Sequence, residues 1–222
     1  MATRKIIAID GPVAAGKSTI AKRVAKELGL IYIDTGAMYR CLALYALQNG
    51  IDVYDENALE KAAKEINIVL TQDSKVFLNG KEVTKEIRSR EVTNNASQVS
   101  YPRKVREIFV RKQQEMANNS ENGVVMDGRD IGTVVLTNAN LKIYQIASIE
   151  VRAQRRYLEN IEKGINTPLD ELIKEIEKRD YMDMNKGFGA LKKAEDAIEL
   201  DTSNMTIEEV VDFIVKKANE IK

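Results

Sequence analysis

Residues 10–19 read DGPVAAGKST, with two glycines and a pair of alanines set between an apolar run and a lysine. Core packing gives no reason for such a stretch. Gly11 to Ser18 fit GxxxxGK[ST], a pattern in which a glycine-rich loop turns its backbone N–H groups inward around a phosphate chain. The pattern needs a strand before it and a helix after it. KIIAID (5–10) precedes it, and STIAKRVAKELG (18–29) follows with apolar residues at helical spacing and Gly29 as a stop. Gly11, Pro12, Val13, Ala14, Ala15, Gly16, Lys17, Ser18 and Thr19 are therefore expected to form a phosphate cradle, with the positive end of the helix aimed at the anion. Lys17 is expected on a solvent-facing loop, reaching the β- and γ-phosphates, and Ser18 is expected to hold Mg²⁺. Asp127 closes the apolar run GVVMD and suits the acidic residue that supports the metal through water. An ordinary strand-end cap is its alternative reading.

Composition limits the rest. With 222 residues, 44% of them hydrophobic, the chain can bury one sizeable core with small insertions rather than a second full domain. Lys+Arg and Asp+Glu are equal at 34 each, so no overall positive field draws nucleic acid, and no stable nucleic-acid partner is expected. The lone Cys41 excludes an internal disulfide framework, and the charged start MATRKIIAID lacks the apolar core of a signal peptide. No apolar run approaches membrane-spanning length. A soluble cytoplasmic protein is expected. There is no histidine, which removes Ser-His-Asp and Cys-His nucleophiles, HExxH zinc sites and histidine proton shuttles. Chemistry must run through Lys, Arg, Asp, Glu, backbone and metal.

Five apolar segments, KIIAID, LIYID, VVMD, LKIYQI and AIELD, alternate with helix-forming material. That alternation predicts an α/β fold, a parallel five-stranded sheet flanked by helices. AMYRCLALYALQNG is a helix closed by Gly50, NALEKAAKEI another, and TIEEVVDFIVKKANEIK opens with Thr206 and Glu209 at capping-box spacing. Residues 67–85 break the alternation with β-type runs and an Asn79-Gly80 pair that reads as a hairpin turn. NNSENG (118–123) reads as a surface loop, and YPRKVREIFVRKQQEM as a basic helix with a solvated face. No NKxD guanine signature is present, since Gly187 and Phe188 follow Asn185-Lys186, and no LSGGQ-like segment occurs. Arg40, Arg106, Arg129, Arg152, Arg155, Arg156 and Arg179 lie near predicted strand ends or on the helices after them, where open α/β sheets bind ligands. Together they suggest a second anionic substrate.

IAIDGPVAAGKST, YIDTGAMYR, NNASQVSYPRKVRE, MDGRDIGTVV and AEDAIELDTSNMTIEEVV resemble the bacterial cytidylate kinases, a family of P-loop nucleoside monophosphate kinases. The resemblance covers nearly the whole chain. It implies a single P-loop NTPase-type kinase domain over residues 1–222, with a nucleotide-monophosphate-binding insert at about 36–118, its β part at about 67–88, and a helical lid at about 150–192. It implies transfer of the γ-phosphoryl of ATP to CMP or dCMP with Mg²⁺, in pyrimidine metabolism, by a monomer. Lys17, Arg129, Arg40 and Arg156 would be catalytic, with Arg40 and Arg129 gripping the acceptor phosphate. Thr35, Arg106 and Asp130 would face the cytosine, and Ser97, Arg179, Asp183 and Lys186 would complete the acceptor site. Chemistry agrees for the base: cytosine offers an amino donor and the acceptors N3 and O2, which call for an acidic acceptor and a cationic donor.

The lid departs from the family pattern. Met182, Met184, Lys186 and Ala190 stand where similar proteins carry arginines and a proline, and Lys186 lacks the planar fork of arginine. Arg152, Arg155 and Arg156 fall on one helical face as a plausible set for transition-state charge. Two rival readings stay open on the residues alone: a related kinase with UMP, AMP or another acceptor, and a nucleotide-binding regulator that uses Arg103–Lys112 to touch RNA or a partner.

Overall fold

The computed structural model describes residues 4–71, 73–162 and 164–221. Strand β1 (Lys5–Asp10) runs through the glycine loop into α1 (Lys17–Leu28), then β2 (Ile31–Asp34), α2 (Thr35–Gln48) and α3 (Glu56–Glu65). Three short strands follow, β3 (Ile68–Leu70), β4 (Val76–Leu78) and β5 (Lys81–Glu82), and then α4 (Arg90–Val99) and α5 (Arg103–Asn118). The chain continues with β6 (Gly123–Gly128), a π-helical turn at Ile131–Val135, β7 (Leu141–Ile146), α6 (Ile149–Glu162), α7 (Leu169–Asn185), β8 (Ile198–Asp201) and α8 (Ile207–Asn219).

The five predicted strands form one sheet in the order β2-β6-β1-β7-β8, every pairing parallel. The apolar runs of the central strands β1 and β6 are continuous rather than alternating because helices cover both faces, whereas the edge strand β8 (IELD) alternates. Ile7, Ala8 and Ile9 of the central strand have no exposure at all. Ile20 and Val24 of α1 and Val210 and Ile214 of α8 pack on one face. Val110 and Ala117 of α5, with Ile131 and Val135, pack with Ile33 and Met126 on the other. Parallel pairing brings all carboxyl ends to one edge. Asp10 lies opposite Gly128, and Asp34 opposite Asp127, so three aspartates stand abreast there.

The segment between β2 and β6 has its own interior. Met38, Leu42, Leu59, Ile66, Ile87 and Phe109 meet in a cluster roofed by the antiparallel sheet β3-β4-β5. Asn79 (φ 49°) and Gly80 (φ 84°) are the two-residue turn of its second hairpin, and positive φ at both is what such a turn demands. Helix α2 begins two residues before the expected Ala37, because the Asp34 side chain accepts from the Ala37 N–H at 2.8 Å and caps it. The capping box at Thr206 and Glu209 is complete. The loop after α5 is less exposed than expected: Ser120 is buried, and its carbonyl accepts from Arg4 Nε at 3.0 Å.

Candidate active site

A cleft of about 780 Å³ opens at the carboxyl edge of the sheet, lined by Val13 to Thr19 of the glycine loop and by residues of α2, α4, α5, α6 and α7. The loop folds as its sequence requires. A Cβ on Gly11 would strike the Gln145 carbonyl on β7, and Gly16 turns the chain into α1 at φ 88°. Gly11 and Pro12 do not themselves line the cleft. Their work is to bring the loop against β7 and to receive Lys17, whose Nζ donates to the Pro12 carbonyl at 2.6 Å.

Lys17 is not solvent-facing. It is 5% exposed, because the loop wraps its stem. Burial, aided by the Arg129 charge, pushes its amine down to about 7, against the pull of Asp127, Asp10 and Asp183. Beside it Ser18 Oγ donates to Asp127 Oδ2 at 2.7 Å, and Tyr32 donates to Asp127 Oδ1 at 2.7 Å. Burial and the neighbouring Asp34 hold the Asp127 carboxyl above the usual range. Ser18 is exposed and Asp127 buried, and a hydroxyl and a carboxylate side by side at the cleft are oxygen donors of the kind a divalent cation takes.

Arginines and acids make the opposite wall. Arg129 Nε donates to Asp183 Oδ2 at 2.6 Å, while Arg179 and Lys186 reach the same carboxylate at 3.5 and 3.3 Å. Those cations outweigh burial and keep Asp183 far below its ordinary pKa. Burial pushes the Lys186 amine down to about 8. Arg40 and Arg156 are about one-third exposed and line the cleft, with loose contacts to Asp34 (3.9 Å) and Glu159 (3.4 Å).

Arg106 and Asp130 form a buried ion pair, 3% and 5% exposed. Arg106 lies over the Tyr39 ring at 5.5 Å, so α5 is not simply a solvated basic helix. Gly189, at φ 71°, presses its backbone on this pair, and a Cβ there would collide with both side chains. Thr35 lines the cleft, but its hydroxyl already donates to the Asp127 carbonyl at 2.7 Å and can only accept from a ligand. Ser97 does not line it. Thr93 and Ala96 of α4 and Ser100 just after it line the cleft, and the Ser97 backbone carbonyl accepts from Ser100 Oγ at 2.7 Å.

The arginines of α6 divide. Arg155 donates to the Ala15 carbonyl at 3.1 Å and to the Thr202 carbonyl at 2.6 Å, and Arg152 is bound to backbone and to Asp180. Of the trio expected to meet transition-state charge, Arg156 alone makes no bond to the glycine loop among the described residues.

This geometry joins a glycine loop before a helix to a cluster of arginines and a buried donor–acceptor pair. The sequence model of the cytidylate kinase family matches residues 7–220. The chain belongs to the cytidylate kinase family. Relatives named cytidylate kinase include those of Bacillus cytotoxicus, 52% identical over 99% of this chain and 98% of the relative, and of Ligilactobacillus salivarius, 51% identical over 96% of each. A gluconokinase from Sinorhizobium meliloti (TM-score 0.51, 14% identical, 98% of this chain and 93% of that one) shares the fold. So does TT1252 from Thermus thermophilus (TM-score 0.51, 17% identical, 99% and 98%).

In this family member several site residues escaped the sequence reading. Asp10 accepts from the Ile131 and Gly132 N–H groups at 2.8 and 2.7 Å and so holds the turn that carries Arg129 and Asp130. Burial raises its carboxyl to about 6. Asp34 receives Arg88 at 3.3 Å beside Arg40. The strand-end positions of Asp10 and Asp34, each followed by glycine or threonine-glycine, were the available signal.

Proposed function

We infer that the protein transfers the γ-phosphoryl group of ATP to CMP or dCMP, giving CDP or dCDP and ADP. The observation that carries the reading is the family match over residues 7–220; the arrangement of the cleft supports it. The acceptor phosphate has a second pKa of about 6 and is mostly a dianion at neutral pH, so no general base is needed. A histidine-free chain can do this work. It must align two anions, neutralise their repulsion and exclude water.

Residues 13–19 would cradle the donor phosphates, with Lys17 on the β- and γ-oxygens. Arg40 and Arg129 would grip the acceptor phosphate, Arg156 would meet charge developing between the two, and Arg106 with Asp130 would read the cytosine. Arg179, Asp183 and Lys186 would border the acceptor sugar. Asp183 pairs with Arg129, Arg179 and Lys186 and offsets only part of their charge, and an acceptor dianion would offset the rest. Ser18 and Asp127 fit Mg²⁺, which binds through one or two protein oxygens plus substrate phosphates. When bound it would supply positive charge against the donor phosphates. Among the described residues no helix is long and apolar enough to cross a membrane, and a cytoplasmic enzyme of pyrimidine metabolism is the matching setting.

A coupled ADP-release assay over CMP, dCMP, UMP and AMP tests this. CMP and dCMP are expected to drive release; equal rates with UMP or AMP would reject the acceptor.

Residues 36–118 would form the acceptor-binding insert and 150–192 the lid, closing together over the cleft. Hydrogen exchange at 66–88 and 179–190 is therefore expected to slow when CMP and a non-hydrolysable ATP analogue are added together. Unchanged protection would argue against closure.

Lys17 also makes donor binding proton-linked. Its folded pKa of about 7 lies below the ordinary 10.5, so from pH 7 upward the free site holds mostly neutral amine, while bound phosphates favour the ammonium. At pH 8 binding of Mg²⁺–ATP is expected to take up a proton, and the uptake is expected to shrink as the pH falls below about 7. Calorimetry in buffers of different ionisation enthalpy reads this directly. Binding with no uptake at pH 8 would contradict it.

A further inference from the structure

Val13 of the phosphate loop has both backbone polar groups held from outside the loop. Its N–H donates to Asp180 Oδ1 at 3.1 Å, and its carbonyl accepts from Arg152 Nη1 at 3.1 Å. The same Nη1 lies 2.5 Å from Asp180 Oδ2, and Arg152 Nε donates to the Ala147 carbonyl at 3.0 Å. Both residues are buried, 7% and 8% exposed. Val13 and Ala14 also pack on Ala153, Leu172 and Ile176. Ala14 stands at φ 58°, a conformation that a residue other than glycine keeps only where its surroundings hold it.

Helix α7 has a second attachment one turn further on. Asp183, three residues after Asp180, carries the ion pair to Arg129 at 2.6 Å. Residues three apart on a helix share a face and move as one body. One helix therefore touches the donor loop through Asp180 and the acceptor-side arginine through Asp183.

We propose that Asp180 and Arg152 are positioning residues that fasten the phosphate loop to α7, so that filling the donor site alters the grip on the acceptor. The inference rests on the two-substrate reading given above. Arg152 is on this account a fastening and not a group that meets transition-state charge, which leaves that work to Arg156. Coupling of this kind is reciprocal, and it is measured by binding rather than by rate.

The test measures the CMP dissociation constant by calorimetry, with and without a saturating non-hydrolysable ATP analogue and Mg²⁺. In the wild type the two constants are expected to differ by about 5-fold or more. Asp180→Asn keeps the shape but removes the charge that pairs with Arg152; its ratio is expected to fall to within about 2-fold of one, with CMP affinity in the absence of analogue changed by less than about 3-fold. A purely structural role would lower the melting temperature and leave the ratio alone. Should Asp180→Asn fail to fold, Arg152→Lys keeps the charge, loses the fork that spans Ala147, Val13 and Asp180, and is judged by the same ratio. A wild-type ratio of one, or a wild-type ratio retained in the folded variant, overturns the proposal. A wild type that binds the analogue but no CMP would instead reject the acceptor assignment, and the coupling with it.

Discussion

Lys17→Ala is expected to lower turnover by about 100-fold or more, the usual loss when one preorganised charge is taken from a reacting centre. The fold is expected to stay. Lys17 is buried with its amine pushed down to about 7, so its charge opposes folding: between pH 7 and 10.5 the unfolded chain binds the proton more tightly, and stability rises with pH. Removing the amine removes that penalty. The alanine variant should therefore melt no lower than the wild type at pH 7, and the pH dependence of melting between 7 and 10 should flatten. A coupled ADP-release assay and thermal denaturation read the two quantities. Near-normal turnover would take the phosphate loop out of the mechanism.

UMP is expected to be a poorer acceptor than CMP by about 30-fold to 10⁴-fold in kcat/KM. Uracil puts a carbonyl where cytosine has its amino group and an N–H where cytosine has N3. Asp130 would then meet an acceptor and Arg106 a donor, at roughly 1 to 3 kcal/mol for each unpaired buried group. Their mutual ion pair does not prevent this role, because a carboxylate has about four acceptor positions and a guanidinium five N–H groups. The pairing does decide which variant is informative. Asp130→Ala would strand the buried Arg106 charge, a cost of about 3–5 kcal/mol that could unfold the chain. Asp130→Asn keeps the shape and adds a donor that uracil can use. The CMP to UMP ratio is expected to narrow by about 5-fold to 150-fold in Asp130→Asn, since one hydrogen-bond mismatch of roughly 1–3 kcal/mol is relieved. An equal fall for both acceptors would show that Asp130 only shapes the turn after Arg129.

What the chain discloses before folding is what local chemistry dictates. The strand, glycine loop and helix, the Asn79-Gly80 turn and the Thr206 capping box are each written in a few adjacent residues. Groups defined by approach across the chain are not. Asp10 acts on Ile131 and Gly132, and Asp180 on Val13, over separations of 121, 122 and 167 residues; nothing adjacent to either aspartate announces its partner. Arg152, Arg155 and Arg156 are chemically alike and share a helical face. Only the packing of α6 against the glycine loop turns Arg152 and Arg155 to backbone carbonyls and leaves Arg156, which lines the cleft beside Arg155, without a bond to that loop. Burial of Lys17 was hidden for the same reason, because a loop read as a string of small residues looks open until it is wound around its own lysine.

Asp10, Asp34 and Asp127, abreast at one edge of the sheet, make the empty protein a poorer keeper of its own fold than the occupied one. Repulsion from Asp34 adds to the burial that raises the Asp127 carboxyl, and a cation held beside it would relieve that repulsion. A ligand that binds only the folded chain adds about 2.7 kcal/mol at one hundred times its dissociation constant. The lifetime of the chain against proteases and heat is thus tied to how much nucleotide and metal surround it. Starved of both, the same polypeptide would be cleared sooner, and the amount of enzyme would follow the supply of what it consumes.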